Sequence, residues 1–199
     1  METEKILINK ILGGNLNAFK NLVDRYQKLV IHIIFRSISG REKQEDICQE
    51  VFLKVYQNLA GFKFQSKLST WIAKIAYTTT LNYVQKEKLQ QDRELNYKYD
   101  DQEGENNCVN PVDLVHTRDP SPLEQVEGQD VSALILKKIE KLPAPYSTII
   151  TLYHLEQMSY QEISEIMDLP EGTVKSYLFR GRKKLKESLI KELEGEEII

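Results

Sequence analysis

Cysteine is nearly absent from this 199-residue chain: Cys48 and Cys108 are its two thiols, far apart and in unlike settings. That excludes a disulfide framework as the main source of stability and fits a reducing compartment. Metal ligation has no foothold either. There is no Cys-x-x-Cys pair, and His32, His116 and His154 are scattered, so neither a metal nor a cofactor is expected. No apolar run approaches the roughly 20 residues needed to span a bilayer. The N-terminal METEKILINKILGGN is too mixed in charge for a secretion signal. A soluble, cytoplasmic protein without membrane insertion is expected. Strand signals are scarce, and convergent catalytic groups are missing: the acids lie in one unpatterned stretch or on exposed helix faces, and no histidine has a suitable neighbour. No enzyme is expected.

Helical periodicity is what remains. Phe19, Leu22, Val23, Tyr26, Leu29, Val30, Ile33 and Ile34 step by three and four, as do Ile47, Val51, Phe52, Val55 and Leu59. Gly61 closes the second run, a polar basic loop follows, and Ser69 or Thr70 is placed to cap a third helix carrying Trp71, Ile72, Ile75 and Ala76. Periodicity fails from residue 91 to 128, a stretch with Gly104, Pro111, Pro120 and Pro122 that reads as a flexible acidic linker. It returns with Leu134, Ile135, Ile139 and Leu142. The expectation is an all-α protein: a helical domain over 1–90, a linker over 91–128 and a second helical domain over 129–193.

The net charge of −3 hides a strong asymmetry. Between Tyr97 and Asp130, nine acidic residues face only Lys98 and Arg118. Between Gly172 and Lys191, seven basic residues face only Glu187. Local charge governs encounter with a phosphate backbone, so the C-terminal segment is the candidate nucleic-acid surface.

That segment has its own pattern. Ser159 and Glu162 fit a capping box opening a short helix with Ile163 and Ile166 on its buried face. Met167 to Pro170 make a break, and Gly172-Thr173 opens a second helix with Val174, Leu178 and Leu185 on one side. Thr173, Lys175, Ser176, Phe179, Arg180, Arg182 and Lys183 are left on the others. This is helix-turn-helix geometry, suited to a DNA major groove. In the N-terminal half, Gly61 to Trp71 (GFKFQSKLSTW) and the helix beyond mix cations with aromatic rings. Lys63, Phe64, Ser66, Lys67, Trp71, Lys74, Tyr77 and Thr78 form a candidate surface for separated strands, where cations follow the backbone and bases stack on rings.

Taken in order, Gln44–Phe52 (QEDICQEVF), Ser69–Ala76 (STWIAKIA), Leu142-Pro143, Tyr160–Ser164 (YQEIS) and Gly172–Ser176 (GTVKS) resemble the bacterial sigma factors of the minimal, extracytoplasmic-function class. The resemblance covers nearly all of the chain except the linker and the last residues. It implies a promoter-specificity subunit of RNA polymerase that binds the core enzyme and promotes melting. Asp46, Gln49, Glu50 and Phe52 would dock on the clamp helices of the largest polymerase subunit. The loop and helix from Lys63 to Tyr83 would read and hold the melted −10 element, and the helix from about Glu171 to Lys184 would read the −35 element. Promoter DNA, core polymerase and an anti-sigma factor are the partners the resemblance implies. Departures from the family pattern fall at Tyr77 and Thr78, where a basic residue and Asn are usual, at Tyr177 in place of Arg, and at Gly181 in place of Ala. The alternative is a stand-alone helix-turn-helix regulator that never meets core polymerase. It would account for residues 159–185 but not for the N-terminal aromatic-basic surface.

Overall fold

A computed structural model of the chain describes residues 4–38, 40–96 and 131–196. Among the described residues all regular structure is helical, in two domains. The first comprises α1 (Glu4–Leu12), α2 (Leu16–Phe35), α3 (Arg41–Asn58), a 3-10 turn at Leu59–Gly61 and α4 (Leu68–Asn96). The second comprises α5 (Val131–Glu140), α6 (Ala144–Ile150), a π-helical turn at Thr151–Leu155, α7 (Tyr160–Met167) and α8 (Glu171–Glu196). Cys108 and most of the acidic stretch, residues 97–130, lie outside the described residues. α4 continues to Asn96, six residues into the stretch that composition assigns to the linker.

In the first domain, α2 starts where its sequence supplies a partner for an orphan amide. Asn15 caps α2 by accepting from the Ala18 amide at 3.0 Å. The buried stripe Leu22, Tyr26, Leu29, Val30, Ile33 and Ile34 then faces Ile47, Val51 and Val55 of α3 and Leu68, Ile72, Ala73 and Ala76 of α4. Each fully buried Leu or Ile in that core contributes about 1.5–3 kcal/mol. Gln44 is buried, and its side-chain amide donates to the Ile38 carbonyl at 2.7 Å, closing the α2–α3 connection. The start of α4 differs from the sequence expectation. The helix begins at Leu68, with the Lys67 carbonyl accepting from the Trp71 amide at 3.1 Å. Ser69 and Thr70 therefore lie inside the first turn and do not cap it.

In the second domain, Pro143 breaks the chain before α6. Ser159 caps α7 in a complete capping box: its hydroxyl accepts from the Glu162 amide at 3.2 Å, and Glu162 accepts from the Ser159 amide at 2.8 Å. Asp168, in the left-handed conformation at φ 54, ends the helix. The side of α8 bearing Val174 and Leu178 is buried, and Gly181 brings it close to α6. A Cβ there would lie 3.0 Å from Ile150 Cδ1.

The two domains share one continuous hydrophobic cluster, and α7 packs on α4. Polar links surround that contact. Arg36, nearly buried at the end of α2, donates to Thr151 Oγ1 at 3.2 Å and to Glu140 at 3.0 Å. His32 Nδ1 lies 2.6 Å from Glu156. Glu162 accepts from Lys67 at 2.9 Å and from the Thr70 hydroxyl at 3.3 Å.

Candidate nucleic-acid interface

The outward face of α3 is built by helical spacing. Asp46, Gln49 and Glu50 are exposed along it, with Glu50 paired to Lys54 at 2.7 Å. Phe52, offered by the sequence as the apolar anchor of this face, is half-buried and packs on the core. The exposed apolar groups there are Leu53 and Tyr56, 56% and 42% exposed. Sequence reasoning missed both, although steps of three and four from Asp46 and Gln49 lead to them. Tyr56 is held from beneath by Phe19 of α2 in an edge contact at 5.0 Å.

The loop from Phe62 to Lys67 carries an aromatic cluster. Phe62 is buried and touches both Phe64, at 4.8 Å between ring centroids, and Trp71, at 5.2 Å. Phe64 is 48% exposed and sits at φ 57, a left-handed conformation that a bulky side chain adopts only when its surroundings impose it. Lys63, Lys74 and Thr78 are exposed, and Ser66 and Trp71 are half-buried. Tyr77 departs from expectation. It is buried in the shared core, and that burial, with Tyr177 adding to it, pushes its hydroxyl up to about 12. In this arrangement Tyr77 is a packing residue and offers no ring to a base. Lys67 is exposed yet engaged by Glu162. Burial alone would raise the Glu162 carboxyl. The Ser159 amide, the Lys67 ammonium and the Ser159 hydroxyl outweigh it and hold the group at about 2.

On α8 the candidate residues fall into two stripes. Ser176, Phe179, Arg180 and Lys183 are exposed along one, and Phe179 is 70% exposed, unusual for an aromatic ring without a covering partner. Ser176 donates back to the Gly172 carbonyl at 2.9 Å, which leaves its oxygen free to accept. Thr173, half-buried in the first turn, borders this stripe. Lys175 and Arg182 form the second stripe and lie over tyrosine rings: Lys175 Nζ is 5.4 Å from the Tyr160 centroid and Arg182 Cζ is 5.2 Å from that of Tyr153. Sequence reasoning did not find these rings, because the contacts join residues 15 to 29 positions apart. Tyr177 is turned inward and packs near Tyr146 at 5.6 Å. Among the described residues no group of His, Cys, Asp or Glu could hold a metal. Among the same residues no helix is long and apolar enough to cross a membrane.

An exposed aromatic-basic loop thus lies in one helical domain and a basic, largely exposed helix in the other. Comparison with known proteins narrows the class. Residues 22–90 match the Sigma-70 region 2 family and residues 132–185 match the Sigma-70, region 4 family. The ECF RNA polymerase sigma-E factor of Haemophilus influenzae is 34% identical over 188 residues, covering 94% of this chain and 95% of that protein. The ECF RNA polymerase sigma factor SigW of Bacillus subtilis is 31% identical, covering 92% and 94%. Among solved structures, CnrH in complex with the cytosolic domain of CnrY superposes with a TM-score of 0.59 at 18% identity, covering 94% of this chain and 97% of that one. The sigma factor RpoE from Bartonella quintana, in complex with the anti-sigma factor NepR, gives 0.58 at 21% identity, covering 86% and 96%. These two likenesses establish the fold. The chain belongs to the extracytoplasmic-function sigma factors, and its role is that of a promoter-specificity factor in transcription initiation.

Proposed function

We propose that this sigma factor works through three surfaces. The α3 face, with Asp46, Gln49, Glu50, Leu53 and Tyr56, docks on core RNA polymerase. Its acids meet a basic partner while Leu53 and Tyr56 supply the apolar anchors that carry most of the energy in such contacts. The loop and helix from Lys63 to Thr78 hold the melted −10 element, with Phe64 and the half-buried Trp71 as stacking surfaces and Lys63 and Lys74 on the backbone. The reading helix α8 enters the major groove at the −35 element. Thr173, Lys175, Ser176 and Phe179 lie nearest the bases, and Arg180, Arg182 and Lys183 meet phosphates.

The observation that carries this reading is the loop conformation. A phenylalanine at φ 57 and 48% exposure, braced by a buried Phe62 and flanked by lysines, is costly for stability alone and suits capture of an unstacked base. The arrangement with Lys67 and Thr70 tied to Glu162 is a closed form. The two domains part when the chain loads on polymerase, and Lys67 is then free to meet the strand. Tethering the two DNA contacts in one chain makes the second effectively intramolecular, so two modest affinities combine. An anti-sigma protein that holds the closed form or covers the α3 face would silence the factor, in keeping with the anti-sigma factor NepR bound to RpoE in the Bartonella quintana structure.

Transcription of a genomic fragment library by bacterial core polymerase, with and without the full chain, tests the reading. New start sites preceded by a common pair of spaced motifs are expected. Failure to bind core, together with affinity for a palindromic duplex, would favour the stand-alone regulator.

A further inference from the structure

We propose that Tyr153 and Tyr160 are positioning residues for the −35 contact: their stacked rings form a shelf that seats Lys175 and Arg182 before DNA arrives. The proposal rests on the reading of α8 as the −35 helix. Tyr153 sits in the π-helical turn and Tyr160 opens α7, so the turn between them folds one ring onto the other. The ring centroids are 5.1 Å apart and the planes are within 13° of parallel. Lys175 and Arg182 are seven residues apart on α8, two turns of helix, and therefore point the same way about 10 Å apart along its axis. Each lies against one ring of the stack, Lys175 on Tyr160 and Arg182 on Tyr153.

Arg182 is fixed further. Its Nε donates to His154 Nε2 at 3.1 Å, which requires that nitrogen to be bare and the ring proton to sit on Nδ1. His154 in turn stands edge-on to Tyr153, at 5.0 Å and 82°. Both cations remain exposed, so seating them does not withdraw their charge from a phosphate or a base edge. Long cationic side chains lose rotamer freedom when they bind, and a side chain already seated in the bound direction loses less. The shelf thus divides the basic residues of α8. Lys175 and Arg182 are set in direction by rings from outside their helix, whereas Arg180 and Lys183 lie on the stripe turned away from it.

Two measurements on the full chain test this. In the free protein, the Lys175 side-chain methylene protons should show upfield ring-current shifts in NMR spectra that vanish in Tyr160→Ala and persist in Tyr160→Phe. In the holoenzyme with core polymerase, Tyr160→Ala should weaken binding to a −35-containing promoter about two- to fivefold, the size of an exposed cation–π contact. Tyr160→Phe should stay close to wild type. Tyr160→Ala combined with Lys175→Ala should bind no more weakly than Lys175→Ala alone, and the pair Tyr153 and Arg182 should behave likewise. Losses that multiply in the double variants, or equal losses on a promoter lacking the −35 element, would overturn the positioning role while leaving α8 as the reader. If Lys175→Ala and Arg182→Ala themselves leave −35 dependence unchanged, the −35 assignment fails and the shelf's role falls with it, whatever the NMR spectra show.

Discussion

Phe179 is the side chain whose position asks most for a function. At 70% exposure on a packed helix it gains little from the core. Its natural counterpart in a major groove is a thymine methyl group. Replacing the −35 thymines one at a time by uracil removes only that methyl. One such replacement should cost the wild-type holoenzyme about 0.8 kcal/mol, the value of a buried methyl-sized group, and should cost Phe179→Ala nothing. Phe64 makes the second residue-scale prediction. Phe64→Ala should slow open-complex formation by the loss of one stacked base, about 1–3 kcal/mol, with initial closed binding little changed. Stopped-flow fluorescence of a base analogue at −10 separates the two steps. Glu162 makes a third. Its carboxyl is held at about 2 against an ordinary 4.5, so the folded state favours the ionised form. The stability it contributes is present above about pH 4.5 and is lost as pH falls toward 2. The acid-side slope of stability should therefore be shallower in Glu162→Gln, measured by urea unfolding across that window.

At the scale of elements, the sequence was legible wherever the signal was local. The capping box of α7, the break at Asp168 and the buried stripes of α2 and α3 all follow from spacing and turn chemistry within a few residues. Two local readings failed for identifiable reasons. Ser69 and Thr70 are good capping residues, but Leu68 is buried in the core and the helix starts two to three residues earlier than they would set it. Phe52 and Leu53 are adjacent apolar residues on one helix, and only packing decides which one faces outward. This distinction is testable. Phe52→Ala should lower the melting temperature, while Leu53→Ala should leave it unchanged and weaken core-polymerase binding by more than about 1 kcal/mol. Gly181 shows the same limit. From sequence it is a helix residue costing about 1 kcal/mol relative to alanine. In the fold it is the point where α6 meets α8, with Ile150 Cδ1 3.0 Å from the place a Cβ would occupy. Gly181→Ala should be close to neutral, helix propensity offsetting the tight contact. Gly181→Leu should destabilise by about 1–3 kcal/mol through overpacking. Thermal unfolding of the two variants measures the difference.

At the scale of the whole molecule, composition and periodicity pointed to two helical domains but gave no sign of how they meet. That contact is made by residues more than 90 positions apart: Arg36 with Glu140 and Thr151, His32 with Glu156, and Lys67 and Thr70 with Glu162. It engages Lys67, and Tyr77 is buried, so these two residues of the surface expected from sequence are withheld in this arrangement. The departure from the family pattern at Tyr77 and Tyr177 then has a physical meaning. Both tyrosines pack inward, and Tyr177 lies close enough to Tyr77 to raise its pKa further.

The most direct measurement of the sigma role is a combined footprint of core polymerase on a promoter identified from the fragment library. Hydroxyl-radical protection and permanganate reactivity would be read on the same DNA with and without the full chain. Protection over the −35 element together with reactive thymines around −10, both present only with the chain and the second reduced by Phe64→Ala, is the expected result. Protection without melting, or melting by core that does not depend on the chain, would contradict it.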